Sequence, residues 1–413
     1  MNLTKKNLYF FFPYRGVGGV PVLFLRLANY LSNMNVYNIF LIDYEDGYMA
    51  KNYDKDSGVK FVGYSQNTNI KFENNDIVVF QSMPLWGIPP NLLFSDFTKL
   101  IYWNLHPYNI FGYASSISKY FKNKFVRKLF TMGFRYFIYA NDRKAVKLFD
   151  IKKSIFFMDG ENLTKTKELL DIKINNPLYL PLIIDNIENI KENYMPNDDM
   201  LNCIWLGRIG DFKVHILLYT LKKLNAIVIK YKKEVVFTIV GTGEYLDYLK
   251  HKVSFLSNIK IEYINYIDPI DLKSLLKDKD MGFAMGTAAL DFAKYGLPTV
   301  LLDFDYEEIT SDYKFNWLYC TQDYTLGRQI NDKSCQLGNN SLQNMLNNLE
   351  YSYKLIADKT FKYIENNFTV EMNVNKFVSL LENSKLVYKD LDSKWFRMNL
   401  CHKLIGAKKY YND

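Results

Sequence analysis

The sequence predicts an α/β protein built from two doubly wound, Rossmann-like domains. Three observations carry that reading. Short apolar runs alternate with stretches of helical spacing along most of the chain. The alternation starts afresh at Cys203, after a polar, proline-containing stretch at 186–200. The 413 residues, 48% of them hydrophobic, are enough to fill two cores.

In the first half, Leu8–Phe12 reads as a strand, and Val22, Leu25, Ala28 and Leu31 give Val20–Met34 a helical stripe. Further strands are expected at Asn38–Ile42, Asp76–Phe80 and Lys99–Trp103. A helix is expected over about 115–132, a strand over Phe134–Ala140 and a helix over Asp142–Phe149, with Leu178–Leu182 closing the half. The second half has strands at Cys203–Leu206, Val235–Val240, Ile261–Tyr263, Met281–Ala284 and Thr299–Leu302. Helices fall at about 213–231, 244–256, 269–278 and 287–295. The remainder, 341–413, reads as helical. The expected organisation is therefore a domain over 1–185, a linker over 186–200 and a second domain over 201–370. Helices over 371–413 are expected to cross back to the first domain, and a ligand crevice is expected between the two.

Composition limits the function classes. A net charge of +8 suits an anionic small ligand, an anionic membrane surface or nucleic acid. Nucleic acid is the poorest of these, because no recognition module accompanies the basic residues. Cys203, Cys320, Cys335 and Cys401 show no CxxC or CxxH spacing, so neither a zinc site nor a disulfide framework is expected. The run Leu8–Phe12 is too short for a secretory signal and leads into Pro13-Tyr14-Arg15. No apolar stretch approaches the ~20 residues that cross a bilayer. The expected location is the cytoplasm.

The most informative segment is Trp205-Leu-Gly-Arg-Ile-Gly-Asp-Phe-Lys213. A buried strand ends at Gly207, where a ligand can approach the backbone. Arg208 and Lys213 then supply two cations from the same loop and helix start, suited to the oxygens of a diphosphate. The plain alternative is a surface Arg and Lys flanking a turn. A second constellation is Met285-Gly286-Thr287-Ala288-Ala289-Leu290-Asp291, followed by Gly296-Leu297-Pro298. Gly286, Thr287 and Ala288 open a helix whose N–H groups can hold phosphate, and Asp291 lies one turn further in, where a carboxylate can accept ribose hydroxyls. Between these lies Val240-Gly241-Thr242-Gly243-Glu244. Near the N-terminus, Gly16, Gly18 and Gly19 stand between the first strand and first helix, lacking full GxGxxG spacing. As a plain strand–helix turn, that loop needs no ligand.

In order and spacing, these motifs resemble the retaining GT-B glycosyltransferases of the group 1, family 4-like type, over about residues 8–303. The resemblance implies a GT-B fold whose two Rossmann-like domains face each other across a crevice. The first would be the acceptor side and the second the nucleotide-sugar side. The reaction implied is hexosyl transfer from a nucleoside-diphosphate sugar to a glycan or lipid-linked glycan, in bacterial surface polysaccharide assembly such as capsule or O-antigen. It would proceed with retention and with no metal or other cofactor. Arg208 and Lys213 would stabilise the leaving diphosphate. Gly207, Gly241, Gly286, Thr287, Ala288 and Asp291 would hold the donor, and Gly16, Gly18 and Gly19 would approach from the other domain. His106, after the fourth strand, resembles the family's histidine beside the transferred sugar; without the resemblance it reads as a structural histidine. Asp291 takes the place of the second glutamate of an E-x7-E signature, and Phe283 that of the first. The base is expected to meet the stretch Glu262–Ile267. A sugar-nucleotide epimerase, a polyol-phosphate transferase and a non-catalytic nucleotide or glycan binder remain as alternatives.

Two further patterns stand apart. Asp54-x-Asp56, Asp278-x-Asp280, Asp303-x-Asp305 and Asp390-x-Asp392 are DxD pairs, and none is expected to bind metal; only Asp303-x-Asp305 ends a second-domain strand on the ligand side. Residues 115–136 carry six cations and no acid, interleaved with aromatics. They are either a basic helix that docks on anionic lipid at the inner face of the membrane or an ordinary solvated helix. The tail from Lys394 to Tyr411 repeats the pattern more weakly.

Overall fold

The computed structural model describes residues 5–16, 18–111, 136–231, 233–330 and 338–398. The expected helix at 115–132 and nearly all of the basic segment 115–136 lie outside the described residues, as does the tail beyond 398. The chain divides into two compact units, residues 1–183 with 370–413, and residues 184–369.

Unit 1 is built on a six-stranded parallel sheet. Its strands are β1 (Asn7–Phe11), β2 (Asn38–Asp43), β3 (Lys60–Gly63), β5 (Ile77–Gln81), β7 (Lys99–Asn104) and β8 (Ile155–Phe157), in the order β3-β2-β1-β5-β7-β8. Two short strands, β4 (Ile70–Phe72) and β6 (Leu92–Phe94), pair separately. The near-continuous apolar runs of β1, β5 and β7 follow from burial on both faces. One face packs Leu8, Phe10, Val79, Ile101 and Trp103 against α1 (Gly19–Met34) and α10 (Val370–Asn383). The other packs Phe11, Val78, Phe80 and Tyr102 against α3 (Ala140–Ile151) and α4 (Gly160–Leu170). The short α2 (Tyr48–Asn52) follows β2.

The strand expected at Phe134–Ala140 is not one. Residues 136–138 are helical and lead directly into α3. The reason lies in which side chains are buried. Ile138, Tyr139, Asp142, Ala145, Val146 and Phe149 face inward at helical spacing, whereas Tyr136 and Phe137 are exposed. Aromatic, β-branched composition suggested a strand, and the period of burial decides for a helix. Strands β3 and β8 had no strong periodic signal and were not anticipated.

Unit 2 repeats the plan. Its strands are β9 (Met200–Leu206), β10 (Glu234–Val240), β11 (Lys260–Ile264), β12 (Met281–Ala284), β13 (Thr299–Leu301) and β14 (Asn316–Trp317). They lie in the order β11-β10-β9-β12-β13-β14, and only β14 is antiparallel. The helices are α5 (Asp211–Ile227), α6 (Leu246–Val253), α7 (Pro269–Leu276), α8 (Thr287–Ala293) and α9 (Leu342–Asn367), the last kinked at Ser352. Among the described residues the expected C-terminal helices end at Asn383, and residues 384–398 carry only 3-10 turns at Tyr388–Asp390 and Ser393–Phe396.

Residues 186–200 are not a free linker. Glu188 and Ile190 donate their N–H groups to the carbonyls of Lys294 and Tyr295. Lys191 is buried, and its Nζ donates to the carbonyls of Lys277 (2.9 Å) and Lys279 (2.6 Å) just past α7 while lying 3.5 Å from the Tyr194 ring centre. Burial pushes that ammonium down to about 8 despite the neighbouring Asp280. The polar sequence suggests a linker, yet its polar groups complete the backbone hydrogen bonding of unit 2.

Candidate functional site

In unit 2 the strand order reverses between β9 and β12, which are direct neighbours with Trp205 opposite Phe283. Loops leaving the carboxyl ends of adjacent strands at such a reversal diverge and leave room for a ligand. The Gly207-Arg208 loop and the Met285-Gly286 turn both start there, although about 80 residues separate them in sequence.

The loops after β9 and β10 are stitched together beyond the sheet. Gly207 N–H donates to the Val240 carbonyl (3.0 Å), Ile209 N–H to the Thr242 carbonyl (2.9 Å) and Gly241 N–H to the Ile264 carbonyl (2.8 Å). The stitching requires glycine at 241. Its φ is +141°, and an added Cβ would lie 2.1 Å from the Gly207 carbonyl oxygen. The glycines are therefore spent on loop-to-loop contact, which fixes where the cations sit.

Those cations differ. Arg208 is 75% exposed and forms a 2.9 Å ion pair with Glu244, from the loop after β10. Lys213, in the first turn of α5, is half-buried; its Nζ stands 5.6 Å from the Phe212 ring centre and 3.5 Å from where a Cβ on Gly207 would be. Among the described residues no carboxylate forms an ion pair with it, and burial lowers its pKa. An ammonium held partly out of water without a counter-charge is prepared for an anion.

On the neighbouring strand, Gly286 adopts φ +63°, ψ −144°, a conformation open to glycine alone, and caps α8. Its own N–H is engaged by the Leu326 carbonyl (2.7 Å), so it does not supply a phosphate-binding donor as expected. Thr287 and Ala288 keep first-turn N–H groups that no helical carbonyl can accept. Asp291 pairs with Lys294 at 3.3 Å, leaving its carboxylate 38% exposed. Phe283 is fully buried and packs on Phe237 in the core, so its side chain cannot reach a ligand.

In unit 1 the glycine loop lies after β1, at the reversal between β1 and β5. Gly18 caps α1, and nothing lies within 4 Å of a Cβ on Gly19, so that position is open. The loop is fastened by Asp43, whose buried carboxylate accepts from the N–H groups of Tyr14 (2.7 Å), Tyr44 (2.8 Å) and Met49 (2.8 Å). Asp43 is thereby a loop fastener. His106 follows β7 on the surface, and its Nδ1 accepts the Tyr108 N–H (3.3 Å), which leaves Nε2 to carry the proton in the neutral ring. Desolvation lowers its pKa.

Sequence reasoning missed two neighbours of this site. The first is Glu244 as the partner of Arg208. The second is Gly327-Arg328, whose backbone runs along the ends of β12 and β13. Leu326 takes the Gly286 N–H, and Arg328 N–H donates to the Asp303 carboxylate (2.9 Å). A second Gly-Arg dipeptide was the available signal. Asp303 also accepts the Tyr313 hydroxyl (3.1 Å), and burial pushes it up to about 6. Asp280 is likewise engaged by Tyr194 and the Asn202 N–H. No cluster suited to a metal ion occurs among the described residues, nor a helix long and apolar enough to cross a membrane.

Neither a protein-family model nor a curated protein matches this chain by sequence. Solved structures do resemble it. A glycosyltransferase from Rickettsia africae ESF-5 superposes with a TM-score of 0.52 at 13% identity, covering 92% of this chain and 98% of the other. A trehalose-6-phosphate synthase gives 0.51 at 10% identity, covering 92% and 99%. At such identities the likeness is one of fold. Two Rossmann-like units of this strand order, matched over nearly the full length of both structures, make this a GT-B fold.

Proposed function

We propose that the chain is a glycosyltransferase that moves a sugar from a nucleoside-diphosphate donor to a glycan or lipid-linked glycan. The observation that carries this is Lys213. A half-buried ammonium with no acidic partner among the described residues stands beside Gly207 at the strand-order reversal, with the start of α8 after the adjacent strand. A diphosphate bridging Lys213 and the Thr287 and Ala288 N–H groups would satisfy all three at once. Arg208 joins it by leaving Glu244.

In this reading the bond between the anomeric carbon and the diphosphate oxygen breaks, and the nucleoside diphosphate leaves with the electron pair. The acceptor hydroxyl oxygen forms the new bond to that carbon and gives up its proton to the leaving diphosphate. Lys213 and Arg208 stabilise the charge that grows on the leaving oxygen. Thr287 and Ala288 hold the phosphates and Asp291 the ribose, while Gly207 and Gly241 let the two loops pack closely enough to fix where the cations sit. Gly16, Gly18 and Gly19 are this chain's candidates for approaching donor or acceptor, and His106 for contacting the transferred sugar. Retention, metal independence and a setting in bacterial surface polysaccharide assembly rest on the sequence resemblance.

The test is a thermal-shift screen against UDP, GDP, CDP, dTDP and ADP, followed by turnover of the corresponding sugar nucleotides. A nucleotide at 100 times its Kd should add ~2.7 kcal/mol of apparent stability. If none of the five stabilises the protein, the reading fails. A second reading, a non-catalytic nucleotide binder, is favoured by the burial of Phe283 where the resemblance places a glutamate. Stabilisation by a nucleoside diphosphate without its release from any donor and acceptor pair would select it.

A further inference from the structure

Resting on that reading and deepening it, we infer that Phe212, Phe304 and Tyr306 form a platform for the donor's sugar ring, with Tyr306 as its specificity-determining face. The three rings pack on one another: Phe212 to Phe304 at 5.6 Å edge-on, Phe304 to Tyr306 at 6.2 Å and 90°, and Phe212 to Tyr306 at 6.1 Å. The backbone beneath them is fixed. Asp305 N–H donates to the Phe212 carbonyl (3.2 Å), Phe304 N–H to the Arg328 carbonyl (2.8 Å), and Ile330 N–H to the Phe304 carbonyl (2.9 Å). Tyr306 is nevertheless 55% exposed. A ring held on two others and still open to solvent has its burial left to something else.

Position selects the occupant. Phe212 adjoins Lys213 in sequence, and the Lys213 Nζ lies 5.6 Å from the Phe212 ring centre. The platform therefore begins where the diphosphate is placed. In the sheet order β11-β10-β9-β12-β13-β14, Tyr306 follows β13, beyond β12, whereas the stretch assigned to the base, Glu262–Ile267, begins within β11 at the far edge and runs past its end. With the phosphates over β9 and β12, the sugar end of the donor falls toward β13. The chemistry agrees. Asp211 lies close enough to raise the pKa of the Tyr306 hydroxyl, after the larger effect of burial, and Glu307 adjoins it in the chain. A ring beside the Asp211 carboxylate suits a neutral polyol, which offers C–H bonds to the ring and hydroxyls to the acid. The same acid disfavours a phosphate there.

The experiment uses the full chain and the variants Tyr306→Ala, Tyr306→Leu and Tyr306→Phe. Calorimetry compares the nucleoside diphosphate found in the screen with its glucose, galactose and N-acetylglucosamine conjugates. For a conjugate that binds, Tyr306→Ala and Tyr306→Leu should raise Kd about five- to tenfold, as loss of one aromatic contact would. Tyr306→Phe should stay within about twofold, and the bare nucleotide should change less than about twofold in every variant. Tyr306→Leu keeps apolar bulk and guards against misfolding, which far-UV circular dichroism checks. Equal weakening of conjugate and bare nucleotide would put the nucleotide, not the sugar, on this ring. Unchanged conjugate binding would remove the platform from the site. Either result overturns the inference and leaves the diphosphate site standing, whereas a wild-type protein that binds no nucleoside diphosphate overturns both.

Discussion

Replacing Lys213 should separate stability from function. Its Nζ has no acidic partner among the described residues, and burial disfavours its charge, so in the unliganded protein the ammonium is a cost. The sign follows from linkage. A lysine pKa lowered on folding means that the unfolded chain binds more protons between the folded and unfolded values. Stability therefore rises with pH across that window, and the penalty is fully present below it. Lys213→Met should leave the unliganded Tm unchanged or raise it. With donor bound the balance reverses. A unit charge about 4 Å from a phosphate oxygen is worth ~4 kcal/mol at an effective dielectric near 20. Removal of a single preorganised donor from a developing anion costs ~10²–10³ in kcat. Both point to a loss of ~10²-fold or more in kcat/KM. Arg208→Ala should cost less, about tenfold, because Arg208 is largely exposed and already pairs with Glu244. The assay is release of nucleoside diphosphate from donor and acceptor, with melting curves of the free variants. Unchanged turnover in Lys213→Met would refute the assignment, and a large drop in the free protein's Tm would refute the claim that Lys213 is unpaid for within the fold.

Gly241→Ala should destabilise by at least ~1–3 kcal/mol, because the new methyl group would meet the Gly207 carbonyl oxygen at 2.1 Å in a backbone conformation that alanine resists; a drop of several degrees in Tm and loss of nucleotide binding would report it. Lys191→Met strips the donor from the carbonyls of Lys277 and Lys279 and should cost about 1–3 kcal/mol, read by urea unfolding. Asp303 is pushed up to about 6 by burial, so its contribution to stability is present at acid pH and lost as pH rises through about 6. Asp303→Asn should therefore gain on the wild type between pH 4.5 and 7.5 in thermal melts, and parallel curves would contradict the assigned cause.

Much of this molecule was legible in its sequence because burial on both faces of a parallel sheet leaves plain apolar runs. β1, β2, β5 and β7, and the strands β9 to β13 of unit 2, were found within one to three residues of their ends. Misreadings came where composition and position disagree. Phe-Arg-Tyr-Phe-Ile-Tyr-Ala looks like a strand by residue type, yet from Tyr136 it turns helically because its buried positions continue the inner face of α3. Residues 186–200 look like a linker by polarity and instead supply hydrogen bonds to unit 2.

The sequence by itself determined the chemistry on offer: two cations after a strand-ending glycine, a glycine-opened helix with an acid one turn in, and the order of these motifs along the chain. Tertiary structure decided which of those groups remain available. Strand order made Gly207 and Gly286 neighbours across some 80 residues, because β12 crosses over to pair with β9. It gave Arg208 an acidic partner and Lys213 none among the described residues, tied the Gly286 N–H to Leu326, and turned Phe283 into the core. It also set Tyr306 on Phe304 and on Phe212, whose ring centre is 5.6 Å from the Lys213 Nζ. The reason is that availability depends on what else lies within a few ångströms, and contacts between residues far apart in the chain leave no local pattern to read.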